Sequence, residues 1–133
     1  MKYYLDTNII IYFIKGQSEN IINHLKLIPS QSIIIPSIVI AEIEYGANKS
    51  TNYNKTIVNY NKFINSFHIE DFNIKAALEY GRIRNELESS GNIIGPNDLM
   101  IASIVKANNG CLVTHNVKEF SRINDLYIED WTE

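Results

Sequence analysis

Three acidic residues stand where their neighbours call for core. Asp6 ends the run Tyr3-Tyr4-Leu5 and opens Asp6-Thr7-Asn8. Glu42 lies within Ser37-Ile38-Val39-Ile40-Ala41-Glu42-Ile43, and Asp98 within Gly95-Pro96-Asn97-Asp98-Leu99-Met100-Ile101-Ala102. A carboxylate among apolar side chains is costly unless it is paired, protonated or bound to a cation. Three such placements in a short chain point to one convergent, metal-binding acidic site. Singly, each has a plainer reading. Asp6 could be a strand-ending turn residue, and Asp98 a charge favoured by a helix N-terminus. Glu42 is the hardest to dismiss, yet Glu44 also has apolar neighbours in Ile40 and Ala47. Spacing does not choose between the two glutamates.

Hard divalent ions such as Mg²⁺ prefer carboxylate oxygens and retain several waters, and no Cys/His cluster here suits zinc. A carboxylate-bound ion polarises a scissile phosphate and acidifies a bound water, and a second ion stabilises the leaving oxygen. This chemistry cuts a phosphodiester without a nucleophilic side chain. It suits a sequence that lacks a Ser/His/Asp or Cys/His pattern, and it leaves a 5′-phosphate and a 3′-hydroxyl. Of the three histidines, His24 and His68 read as structural or exposed. His115 falls at the expected active end without an evident partner, so it reads as a substrate contact more readily than as a catalyst.

Composition sets the frame. A length of 133 residues fits one domain over residues 1–133, burying roughly two-thirds of its unfolded surface. Single Cys111 excludes an intramolecular disulfide and fits a reducing cytoplasm. No leader and no apolar run of bilayer length is evident, so the expectation is a cytoplasmic protein with no membrane association. A net charge of −3 argues against nucleic-acid binding by charge alone. It leaves room for an acidic site rimmed by Arg82, Arg84, Lys106, Lys118 and Arg122.

The elements that must position the acids follow from pattern. Residues 2–6 read as a short buried strand. Asn8 is expected to cap a helix to about Lys15, terminated by Gly16. A second helix starts after Ser18. Ser32 to Ile35 is a β-branched run covered on both faces, after which Ser37 caps a helix to about Ala47. Helices are expected over 52–66, 73–90 and from Pro96 to Asn109, the last stopped by Gly110. Short strands are expected at 68–69 and 112–114, with an edge strand at 126–128. Strands alternating with helices imply α/β architecture, a three-layer α/β/α sandwich on a mainly parallel sheet. In such sheets ligands gather beyond the carboxyl ends of the strands, where Asp6 and Thr114-His115-Asn116 fall.

In this order the residues match a pattern. The chain resembles PIN-domain ribonucleases, and within them the VapC-type toxins of bacterial type II toxin–antitoxin pairs. Leu5-Asp6-Thr7-Asn8 is similar to the first PIN motif and Ile40-Ala41-Glu42-Ile43 with Tyr45-Gly46 to the second. Asn97-Asp98 with Ile101-Ala102 is similar to the third, and Leu112-Val113-Thr114-His115-Asn116 with Glu119-Phe120 to the last. The resemblance covers essentially the whole chain. It implies a PIN-like fold with Asp6, Glu42 and Asp98 as catalytic, metal-binding residues, supported by Thr7, Asn8, Thr114 and Asn116. Asn116 departs from the fuller pattern, which often has an aspartate there, and Glu119 is the residue placed to supply the missing charge. The resemblance further implies a Mg²⁺- or Mn²⁺-dependent endoribonuclease toxin acting on structured RNA, tRNA or rRNA, neutralised by a cognate VapB-type antitoxin and forming a homodimer. Two rivals stand beside it. One is a Mg²⁺-dependent phosphotransferase or phosphatase with Asp6 as covalent acceptor, although no second acid adjoins Asp6. The other is a catalytically silent PIN-like RNA-binding module, which the intact acids oppose.

Overall fold

The computed structural model describes residues 1–133. Five short strands, β1 (Tyr3–Leu5), β2 (Ile33–Pro36), β3 (His68–Glu70), β4 (Cys111–Val113) and β5 (Tyr127–Glu129), form one sheet in the order β3-β2-β1-β4-β5. Every pairing is parallel, so the sheet is wholly and not just mainly parallel. Successive strand residues point to opposite faces, and all of β2 and β4 is buried. Both faces are therefore covered, as β-branched Ile33, Ile34 and Ile35 require. No helix is long and apolar enough to cross a membrane.

The helices are α1 (Thr7–Ile14), α2 (Glu19–Leu27), α3 (Ser37–Lys49), α4 (Tyr53–Ile64), α5 (Ile74–Ser90), α6 (Pro96–Ala107) and α7 (Val117–Phe120). From β1 the chain builds outward through β2 to β3, then crosses back to place β4 on the other side of β1. The direction of winding thus reverses between β1 and β4, and ligands in open parallel sheets bind at such a switch point. The register pairs Leu5 with Val113, so Asp6 and Thr114 emerge together at that crevice. The Asp6 N–H donates to the Val113 carbonyl at 2.9 Å, which locks the exit of β1 onto β4.

Two expected caps differ in their chemistry. Asp6, not Asn8, caps α1, accepting the Thr7 N–H at 2.9 Å. The helix opens two residues earlier than expected because the strand hands its last carboxylate directly to the first turn. Likewise α3 begins after Pro36 with no side-chain cap, and the Ser37 hydroxyl accepts the Phe72 N–H at 3.3 Å instead. Gly91 takes the left-handed conformation, φ 73°, that closes α5 as expected.

Gly110 has a different role from the helix stop read in the sequence. Asn109 makes the left-handed turn after α6, with φ 51°. A Cβ at Gly110 would strike the ring of Tyr4, coming within 2.6 Å of Cδ1 and 3.2 Å of the Lys2 carbonyl oxygen. Tyr4 is buried and cannot swing aside. Gly110→Ala should therefore destabilise the fold by about 1–3 kcal/mol, the usual cost of overpacking a filled site. In urea unfolding the midpoint should fall at an unchanged m-value. An unmoved midpoint would mean that β1 and β4 part easily.

Candidate active site

The crevice between β1 and β4 collects carboxylates from four separate elements. Asp6 comes from the end of β1, Glu42 from the middle of α3, Asp98 from the first turn of α6 and Glu119 from α7. Asp6 is 6% exposed and held at both oxygens. Its Oδ1 accepts the Thr7 N–H, and its Oδ2 accepts the Thr114 hydroxyl at 2.8 Å. Burial pushes its carboxyl up, the Thr114 and Thr7 hydrogen bonds pull it down, and the charges of Glu42 and Glu119 push it up again, leaving it raised. Thr114 is itself anchored, since its oxygen accepts the Asn116 N–H at 3.0 Å.

Thr7 holds Glu42, and not Glu44, beside the acidic site. Its hydroxyl donates to Glu42 Oε1 at 2.6 Å, tying α3 to α1 across 35 residues. Glu44 turns away and accepts the Tyr53 hydroxyl at 2.8 Å. One residue thus orders two acids, Asp6 through its N–H and Glu42 through its hydroxyl.

Asp98 and Glu119 stand side by side. Asp98 is pushed up to about 7, first by burial, then by the charges of Asp6 and Glu119, its hydrogen bond with Glu119, and Glu42. Burial acts to raise Glu119 too, yet it ends below the usual carboxylate range. It accepts Asn116 Nδ2 at 2.8 Å and the Gly95 N–H at 3.2 Å, and it also feels the hydrogen bond from Asp98 and the charge of Arg122. Burial and acidic neighbours thus favour the protonated form of Asp98, while its donors favour the charged form of Glu119. Gly95 immediately precedes α6, so Glu119 also fixes the turn that presents Asp98.

The remaining expected residues lie less centrally. Asn8 is exposed on the first turn of α1, where Asp6 has taken the cap. Asn116 orients both Thr114 and Glu119. His115 has the partner that its sequence context did not suggest: Nδ1 lies 3.0 Å from Asp130 Oδ2 and 3.1 Å from the Thr132 hydroxyl. It is exposed, and its polar contacts are to Asp130 and Thr132 and not to the four acids. Nor do the expected arginines assemble into a rim. Arg82 pairs with Glu79 and Glu86, and Arg84 with Glu88, all along α5. Arg122 stays close to the site, its guanidinium donating to the Ile93 carbonyl at 2.9 Å.

No three acidic, histidine or cysteine side chains are arranged around a preformed ion position. The donor chemistry nevertheless fits a hard divalent cation. Mg²⁺ typically takes one or two carboxylates and completes its shell with water. Four carboxylates that mutually raise Asp6 and Asp98 form a site whose excess negative charge a cation would relieve.

Known proteins share this architecture throughout. The PIN domain family matches residues 3–126. Ribonuclease VapC2 of Rickettsia felis is 44% identical over 132 residues, covering 98% of each chain. The tRNA(fMet)-specific endonuclease VapC of Salmonella typhimurium is 37% identical over 131 residues, again covering 98% of each. Among solved structures, VapBC2 from Rickettsia felis bound to a DNA fragment from its promoter superposes with a TM-score of 0.92. It is 43% identical and covers 98% of this chain and 99% of that one.

Proposed function

The chain belongs to the PIN-domain family and, within it, to the VapC ribonucleases, and on that premise we propose that it is a divalent-metal-dependent endoribonuclease toxin. Residues 1–133 act as one nuclease domain in the cytoplasm, as a homodimer, on structured RNA. The observation that carries this reading is the convergence of Asp6, Glu42, Asp98 and Glu119, each from a different element, at the switch point of a parallel sheet. Asp6, Glu42 and Asp98 would hold Mg²⁺ or Mn²⁺. When bound, the ion supplies charge neutralisation at the scissile phosphate and an acidified water for in-line attack.

The protein's own part is orientation. Thr114 and the Thr7 N–H fix the plane of the Asp6 carboxylate, and the Thr7 hydroxyl fixes Glu42. Glu119, lowered by its donors, stays the charged partner, and Asp98, raised by burial and its acidic neighbours, is the one that more readily holds a proton in the metal-free protein. Identity with the tRNA(fMet)-specific Salmonella relative supports a tRNA as substrate. Unpaired loops suit the geometry, since cleavage needs a backbone splayed into a narrow site.

A VapB-type antitoxin would neutralise the activity. An apolar groove of about 500 Å³ runs between α1, α2 and α4, lined by Phe13, Ile14, Leu25, Phe63 and Phe67, with Lys26 and Lys62 at its edge. It offers the apolar contact that must offset the cost of ordering a flexible tail.

The test is cleavage of tRNA with end analysis. Activity should require added Mg²⁺ or Mn²⁺, stop in chelator and leave 5′-phosphate and 3′-hydroxyl ends. Chelator-resistant cutting that leaves a 2′,3′-cyclic phosphate would replace this mechanism with transesterification by a side chain, with His115 the first to examine.

A further inference from the structure

A hollow opens beside the acidic site. It has a volume of about 280 Å³ and lies between α1, α3 and α4, lined by Ile11, Lys15, Glu42, Ile43, Gly46 and Tyr60. That volume is at the small end of the range for ligand pockets. Glu42 belongs both to this hollow and to the carboxylate cluster, so whatever enters is contiguous with the reacting group. Its floor is apolar, with Ile43 buried and Ile11 half-buried. Tyr60 is half-buried and adds an aromatic ring to the wall. Lys15 is exposed, and its ammonium forms none of the chain's ion pairs.

Gly46 has no packing reason to be glycine. It lies inside α3, its φ is not positive, and a Cβ built there meets no atom within 4 Å. A glycine inside a helix is destabilising relative to alanine. What its missing side chain does achieve is to leave the hollow open next to Glu42.

We infer that this hollow is a nucleotide subsite, receiving the base adjacent to the scissile phosphate, with the Tyr60 ring as its stacking partner and the Lys15 ammonium on the next phosphate. The proposal rests on the ribonuclease reading and specifies how that site grips its strand. A base suits the hollow because it is flat, uncharged and apolar on its faces. Inside the hollow, away from any ion, Glu42 would repel a phosphate, and Lys15 is the one cation among the lining residues. Stacking on an aromatic side chain tolerates any base, so the subsite holds the strand without selecting its sequence.

Three measurements on the full chain test it. In the first, adenosine 5′-monophosphate and cytidine 5′-monophosphate are titrated in chelator while the methyl resonances of Ile11 and Ile43 are followed. Both nucleotides should shift these resonances, and Gly46→Leu, which fills the hollow, should abolish the shifts. In the second, KM for a cleaved tRNA should rise about tenfold in Gly46→Leu and in Tyr60→Leu, with the larger share of the loss in KM and not kcat. Lys15→Ala should lower the slope of log binding against log salt by about 0.7, the release expected for one single-strand phosphate contact. Tyr60→Leu carries the test if Gly46→Leu does not fold. A wild-type protein that cleaves no RNA would overturn the ribonuclease reading, and the nucleotide titration would still decide the subsite. Normal cleavage with unmoved Ile11 and Ile43 resonances, or an unchanged KM in the variants, would overturn the subsite alone.

Discussion

Asp98→Asn should abolish RNA cleavage, a loss of at least ~10²-fold, while raising the melting temperature of the metal-free protein at pH 8. Both effects come from one charge. In the folded chain burial, Asp6 and Glu119 push the Asp98 carboxyl up to about 7, whereas in the unfolded chain it titrates near ~3.9. Between those values the folded state binds more protons than the unfolded one, so stability falls as pH rises. The Asp98 contribution is fully present below about pH 4 and is lost as pH passes through about 7. Asparagine is neutral throughout and removes that slope. Wild type and variant should therefore melt together near pH 4 and diverge steadily towards pH 8. Asp6→Asn should also abolish cleavage, with a smaller thermal gain. Its amide keeps only one carbonyl acceptor where Asp6 now serves both the Thr7 N–H and the Thr114 hydroxyl, so Thr114 must reorient to accept from the new amide. Thermal melts in chelator across pH 4–8 would decide the matter. If both variants melt lower at every pH, the acids are structural supports and the metal-site reading fails.

The parts of the fold that were legible in the sequence are those with a strong local signature. Ile33-Ile34-Ile35 before Pro36 announced a strand buried on both faces, and Asn73 and Gly91 bracketed α5 at both ends. Asp6, Glu42 and Asp98 stood out because a carboxylate among apolar neighbours is an energetic anomaly wherever it occurs. Strand limits were missed by a residue, as in β4, because hydropathy marks what is buried while pairing with β1 decides where the ladder stops. What stayed hidden was the wiring. Thr7 reaches Glu42 across 35 residues, Glu119 reaches Gly95 across 24 and Thr114 reaches Asp6 across 108. None of these pairs has a spacing that a helix or strand would signal. The Asp130 partner of His115 was equally invisible, since a lone histidine after a strand looks alike whether bound or free. The close approach of Gly110 to Tyr4 exists only once β1 and β4 are side by side.

Glu119→Gln should lower kcat by about 10–100-fold, the usual cost of removing a partner that orients a metal-binding group, while changing KM for RNA only a few-fold. Glu119 has three bonds to lose. Its carboxylate accepts from Asn116 and from the Gly95 N–H, and it shares a hydrogen bond with Asp98. A glutamine has one carbonyl oxygen for two of those donors, so either Asn116 or the turn before α6 loses its acceptor. Loss of the charge also releases Asp98, whose elevated carboxyl depends in part on Glu119. Asp98 would then ionise at lower pH and could compensate for part of the missing charge. The residual defect should therefore be one of positioning: a higher Mg²⁺ concentration should restore some turnover but not the wild-type rate. Substrate affinity should be spared because Glu119 is an anion and makes no favourable contact with phosphate. The measurement is kcat and KM over a Mg²⁺ titration, with Asn116→Ala beside it to separate a lost orienting bond from a lost charge. If Glu119→Gln cleaves at near-normal rate at low Mg²⁺, the residue is an ordinary surface charge on α7, and the acidic site functions with Asp6, Glu42 and Asp98 alone.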